Sequence, residues 1–136
     1  MILTDASALV ALVDKRQADI HTRCQAALST LPSPLLTTWP CFTEAMYLVS
    51  QTGGWPMKKL LWGFVRTGAL RFYALTDIDA ERMQILMEQY RDTPMDLADA
   101  SLVSAAEMLG QKRIFTLDSH FYIYQRNGRE PFEVVP

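Results

Sequence analysis

Five carboxylic acids stand out by type and spacing: Asp5, Glu44, Asp96, Asp99 and Asp118. Each has an ordinary use. Asp5 can cap a helix that begins at Ala6, and Asp118 can serve a turn. Glu44, Asp96 and Asp99 can sit in helix first turns, whose free N–H groups favour negative charge. Gathered in one place, the set could do chemistry. Crowded carboxylates repel and raise one another's pKa, and a hard cation relieves the strain. An all-oxygen ligand set suits Mg²⁺ or Mn²⁺. Asp96 and Asp99, three apart, share one helix face, so both can point inward. Ser7 lies two residues after Asp5, and Thr116 lies two before Asp118. Their hydroxyls can orient carboxylates or water behind the ligands, or can simply cap and pack.

The elements that must position these acids follow from hydrophobic patterning. "MILT" is a short apolar run and predicts a buried strand, followed at once by a helix over "ASALVALVD". A second helix is expected over Asp19–Leu31, stopped by the prolines of "LPSP". "LLTT" predicts a second strand. "WPCFTEAMYLVSQ" predicts a helix with Pro40 near its start, ended by "TGG". Met57, Leu60, Leu61, Phe64 and Val65 recur at helical spacing up to Gly68. "LRFYAL" predicts a third strand. "TDID" matches a capping box with Thr76 as cap and Asp79 as its partner, opening a helix to about Arg91. "TPMDLADASL" opens a helix that runs to about Leu109, before Gly110. "RIFTL" predicts a fourth strand and "FEVV" a short fifth. Alternating strands and helices imply an α/β fold: a three-layer α/β/α sandwich on a mainly parallel sheet of four to five strands, in one domain spanning residues 1–136. In such sheets ligands bind beyond the C-terminal ends of the strands. Asp5 and Asp118 sit just past strands, and Asp96, Asp99 and Glu44 can reach that same edge.

The 136 residues carry a net charge of −2, with 49% hydrophobic and 21% charged residues. That composition is globular, and it disfavours a grip on long nucleic acid through phosphates alone. Cys24 and Cys41 make no disulfide framework and, with His21 and His120, no zinc-ligand spacing; they read as buried thiols. No positive charge precedes the first apolar residues, and no apolar run approaches the ~20 residues of a membrane helix, so no signal peptide or membrane segment is expected. The setting expected is cytoplasmic. Lys15, Arg16, Arg126 and Arg129 are candidate phosphate contacts or simply solvated surface. His120 follows Asp118 closely, and a structural or rim role suits it better than general acid catalysis. Trp62 falls off the Met57–Val65 stripe, where an apolar residue marks either an interface or a core edge.

At this level the chain resembles the PIN domain family, and within it the VapC-type toxins of bacterial toxin–antitoxin pairs. The resemblance rests on "ILTDASALVAL", "TEAMYLV", "MDLADASLVSAAE" and "IFTLDSHF", in family order and rough spacing across nearly the whole chain. It implies that Asp5, Glu44, Asp99 and Asp118 form the acidic tetrad, with Asp96 a frequent extra acid. It implies a PIN-like sandwich and an endoribonuclease that hydrolyses RNA phosphodiester bonds with Mg²⁺ or Mn²⁺. It also implies an antitoxin partner and a homodimer. Two alternatives stand beside the toxin reading: an RNA-processing nuclease that is not a toxin, and a non-catalytic RNA- or protein-binding module whose acids hold a structural cation.

Overall fold

The computed structural model describes residues 1–136. Strand β1 (Ile2–Thr4) leads into helix α1 (Ala6–Val13), which is followed by α2 (Ala18–Leu28). Strand β2 (Leu35–Thr37) leads into α3 (Trp39–Arg66), and β3 (Leu70–Phe72) precedes α4 (Asp77–Gln89) and α5 (Leu97–Leu109). Strand β4 (Arg113–Phe115) runs into a 3₁₀ turn at Ser119–Tyr122. Two-residue strands β5 (Gln125–Arg126) and β6 (Glu130–Pro131) precede β7 (Glu133–Val135).

The main sheet has five parallel strands in the order β3-β2-β1-β4-β7. Its strands are three residues each and alternate between two buried faces. Ile2, Leu35, Leu70 and Phe115 join one core with residues of α1, α2 and α3. Leu3, Leu36 and Ile114 join the other, with residues of α4 and α5. Both faces are therefore covered, which is why the strands read as unbroken apolar runs. The chain grows outward from β1 through β2 to β3, then crosses back to place β4 on the other side of β1. That reversal makes the β1/β4 boundary the topological switch point, where such sheets open a crevice.

The sequence expectations hold for fold class and for most elements, with differences at boundaries. Helix α2 stops at Leu28 rather than Leu31, because Thr30 and Leu31 turn their N–H groups back onto Ala27 ahead of Pro32. "TGG" does separate two helical stretches, as expected: within Trp39–Arg66 the backbone leaves helical geometry at Gly54, where φ is 61° and ψ −151°, and a second helical stretch with Pro56 near its start follows directly. The stretch "LRFYAL" contributes only Leu70–Phe72 to the sheet. The antiparallel β5–β6 hairpin lies outside the expected sheet and turns at Asn127 and Gly128, both with positive φ. Both cysteines are buried and free. No helix is long and apolar enough to cross a membrane.

Candidate active site

Three of the five acids converge at the switch point. One oxygen from each of Asp5, Asp99 and Asp118 lies within 4.8 Å of the others. Asp5 extends β1, and its backbone N–H still pairs with Phe115 O of β4 at 2.9 Å. Its side chain caps α1, with Oδ1 accepting from Ala6 N at 2.7 Å. Oδ2 accepts from the Thr116 hydroxyl at 2.8 Å and from the Ser7 hydroxyl at 3.1 Å. Those hydroxyls in turn accept from Asp118 N and Leu117 N, both at 2.9 Å. The segment that carries Asp118 is thus pinned to the segment that carries Asp5, with Ser7 and Thr116 behind the acids. The Asp118 side chain caps the 3₁₀ turn through His120 N at 2.9 Å. The His120 ring stands at the rim, with Nδ1 3.2 Å from Asp118 Oδ1.

Asp99 arrives from the other direction. Asp96 caps α5 and accepts from Asp99 N at 2.8 Å, while Asp96 N donates to Asp99 Oδ2 at 3.3 Å, a reciprocal capping box. Asp99 is buried and Asp96 exposed. Helix α5 is fixed against α3 by paired hydroxyls: Ser101 donates to Ala98 O, and its oxygen lies 2.6 Å from the Thr38 hydroxyl that caps α3. Glu44, one turn further along α3, is half-buried and stands outside the close triad. Together with Asp96 it lines the adjoining cleft.

The electrostatics are those of uncompensated like charges. Burial, then Asp96 and Asp5, push the Asp99 carboxyl up to about 7. Burial, then Asp96, Asp5 and Asp118, push Glu44 up to about 7 as well. Asp5 is raised by burial and by Asp118, against the hydrogen bonds from Thr116, Ala6 and Ser7. Protons or a cation are the two ways to settle such a cluster. Three carboxylate oxygens this close are the hard donor set that an oxygen-loving divalent ion takes, so the residues fit a metal.

One contributor is invisible to sequence patterning. The buried Tyr124 hydroxyl donates to Asp99 Oδ2 at 3.1 Å, and burial, then the Asp99 charge and this bond, raise its own pKa. The contact spans 25 positions and has no local signature. The expected phosphate contacts are not brought to the cluster. Lys15 and Arg16 follow the far end of α1, and Arg16 is paired with Asp14 at 2.8 Å. Arg126 is buried on the hairpin, near Glu130 and over the Phe132 ring. Its neighbour Asn127 donates to Glu107 near the end of α5, roughly 12 Å of helix from Asp99. Arg126 is thus no free surface cation. Arg129 lies exposed in the same hairpin. Trp62 is 40% exposed and packs edge-on against Phe42.

The comparisons with known proteins agree with this architecture. No curated protein sequence matches the chain. Among solved structures, the chain superimposes on Mycobacterium tuberculosis VapC20, described as a sarcin-ricin loop cleaving toxin, with a TM-score of 0.83 at 15% identity, covering 96% of this chain and 100% of that one. A toxin–antitoxin complex from Klebsiella pneumoniae matches with a TM-score of 0.64 at 18% identity, over 88% of each chain. At those identities the likeness is one of fold. The PIN domain family itself matches residues 2–127, and the chain belongs to that family.

Proposed function

We propose that this chain is a metal-dependent endoribonuclease, the toxin of a toxin–antitoxin pair, whose 136 residues act as one nuclease domain. The observation that carries the reading is the meeting of Asp5, Asp99 and Asp118 oxygens within 4.8 Å at the switch point of a PIN fold. Support for the toxin reading comes from the two fold neighbours, one titled a toxin and the other a toxin–antitoxin complex. An antitoxin is the natural partner under this reading, as are a cytoplasmic setting and a homodimer.

Asp5, Asp99 and Asp118 would hold the ion, Mg²⁺ or Mn²⁺, with Glu44 and Asp96 adding negative potential at the cleft side. When bound, such an ion polarises a phosphoryl oxygen and makes water a better nucleophile near neutrality. The protein's part is positioning. Ser7 and Thr116 hold Asp5 in one orientation and fix the Asp118 segment to it. Tyr124 and Asp96 do the same for Asp99. Glu44, with its carboxyl near neutrality in affinity for protons, can hold a proton at the cleft. The test is cleavage of RNA with added Mg²⁺ or Mn²⁺ and with chelator, for wild type and Asp5→Asn. Cleavage that needs the metal and is lost in Asp5→Asn is expected. Metal binding without any cleavage would favour the structural-cation alternative.

A further inference from the structure

Beside the acids lies an open cleft of about 840 Å³, walled by Trp39, Tyr47, Leu48 and Leu97 and bordered by Glu44 and Asp96. No lysine or arginine lines it, so its walls do not recognise phosphate. They present aromatic rings instead. Trp39 is 52% exposed and Tyr47 61%. Both are held in place. The Trp39 indole stacks on Phe72 with centroids 3.8 Å and planes 4° apart, and Phe42 stands edge-on to both rings. The Tyr47 hydroxyl accepts from Gln51 Nε2 at 2.8 Å. Exposed rings that are already ordered give up little entropy on binding, which is what a base-stacking platform needs.

Phe72 also links this cleft to a second one. A groove of about 640 Å³ runs along β3 from Thr67 to Phe72 and is lined by Arg66 and Arg71. Both arginines are exposed, and neither is paired with a carboxylate. The stacked Trp39 and Phe72 therefore border both grooves, with the acids beyond Trp39 on one side and the arginine pair beside Phe72 on the other.

Building on the ribonuclease reading above, we propose that an unpaired RNA strand follows this path, with a base stacked on Trp39 next to Glu44 and its backbone continuing onto Arg66 and Arg71. Stacking needs a base face that a duplex hides, so the substrate is single-stranded RNA or a loop. It also tolerates any base, so Trp39 positions the strand without reading its sequence. In a protein of net charge −2, stacking supplies affinity that phosphate contacts alone would not. An apolar peptide would suit the first cleft, but it has no use for the adjoining arginine pair, whereas an anionic polymer does.

Binding is measured on the full chain in an Asp118→Asn background, so that cleavage does not interfere. The probes are a short oligouridylate, an oligoadenylate of the same length and an abasic ribose-phosphate chain. Both oligonucleotides are expected to bind about tenfold or more tighter than the abasic chain. Trp39→Ala should erase that difference, and Trp39→Phe should keep most of it. Arg66→Gln and Arg71→Gln should each lower the slope of log affinity against log salt by about 0.7, while Trp39→Ala leaves the slope alone. If Trp39→Ala misfolds, the abasic comparison with tryptophan in place and the Trp39→Phe result still decide. RNA cleavage by wild type alongside equal binding of abasic and normal strands would overturn this proposal alone, and would leave the cleft to a protein partner. Failure of wild type both to cleave and to bind RNA would overturn the ribonuclease reading with it.

Discussion

Asp79 and Asp99 hold the same place in consecutive helices, third after the N-cap in a capping box, yet their carboxyls are pushed in opposite directions. Burial would raise Asp79, but the hydroxyls of Ser104, Tyr73 and Thr76 and the Thr76 N–H all donate to it and hold it below the usual carboxylate range. Asp99 has the same local geometry, but burial, with Asp96 and Asp5 facing it, outweighs the bonds from Asp96 N and Tyr124, and it rises. One acid is structural and satisfied; the other is held in conflict with its surroundings.

This contrast yields a paired stability test in metal-free buffer. Asp79→Asn removes a buried charged acceptor from four donors, on Ser104, Tyr73 and Thr76, and should destabilise by about 1–3 kcal/mol. Asp99→Asn removes a like-charge conflict and should leave the unfolding midpoint unchanged or raised. Denaturant melts of the two variants beside wild type check it. A large loss in Asp99→Asn would show that its capping bond outweighs the repulsion.

Metal should act on the same cluster. A ligand that binds only the native state stabilises it, by about 2.7 kcal/mol at a hundred times its dissociation constant. Millimolar Mg²⁺ or Mn²⁺ is therefore expected to raise the melting temperature of wild type, and Asp118→Asn should weaken the effect strongly. Equal melting curves with and without ion, in both proteins, would count against a metal centre.

The pH dependence of metal-free stability has a definite sign. Asp99 and Glu44 are raised from 3.8 and 4.5 to about 7, so between those limits the folded protein binds protons that the unfolded chain does not. Stability then falls as pH rises through that window. Asp14, Asp79 and Glu107 are lowered, and their contribution is already complete above the unfolded values of 3.8 and 4.5. Chelator-treated protein should thus be more stable at about pH 5 than at about pH 8, and saturating Mg²⁺ should narrow the gap by taking the protons' place. The double variant Asp99→Asn, Glu44→Gln should flatten much of the profile, leaving the part that the raised Asp5 contributes.

A fourth prediction concerns the kink in α3. Gly54 sits at φ 61° and ψ −151°, a backbone state open essentially only to glycine. Gly54→Ala should lower stability by about 1–3 kcal/mol, read from thermal melts.

Much of this was legible in the residues. Short apolar runs, each followed by an amphipathic stretch, lead directly to a covered parallel sheet, and the rule that ligands gather at strand C-termini groups Asp5 with Asp118. The capping box in "TDID" is readable because threonine is a familiar cap. "DLAD" carries the same reciprocal bonds, but two acids in that pattern invite a different question and hide the box. The Asn-Gly of "QRNGRE" is a hairpin signal in the sequence, and it marks the turn that buries Arg126. Tyr124 could not be found this way, because its bond to Asp99 depends on how the 3₁₀ turn leaves β4. The TGG junction was legible for a physical reason: glycine alone readily takes the positive φ of Gly54, and that one residue breaks the helix before helical structure resumes.

The order of the strands also governs when this protein acquires its chemistry. Asp5 is synthesised more than a hundred residues before Asp118 and the hydroxyl of Thr116 that pins it. Strand β4 must slot between β1 and β7 before the third carboxylate meets the other two. Leu3 and Leu36 are buried largely by α4, α5 and Ile114 of β4, so the face of the sheet beneath Asp99 also waits on the later elements. The three-carboxylate set is therefore complete only once β4 has paired with β1 and brought Asp118 to the other two.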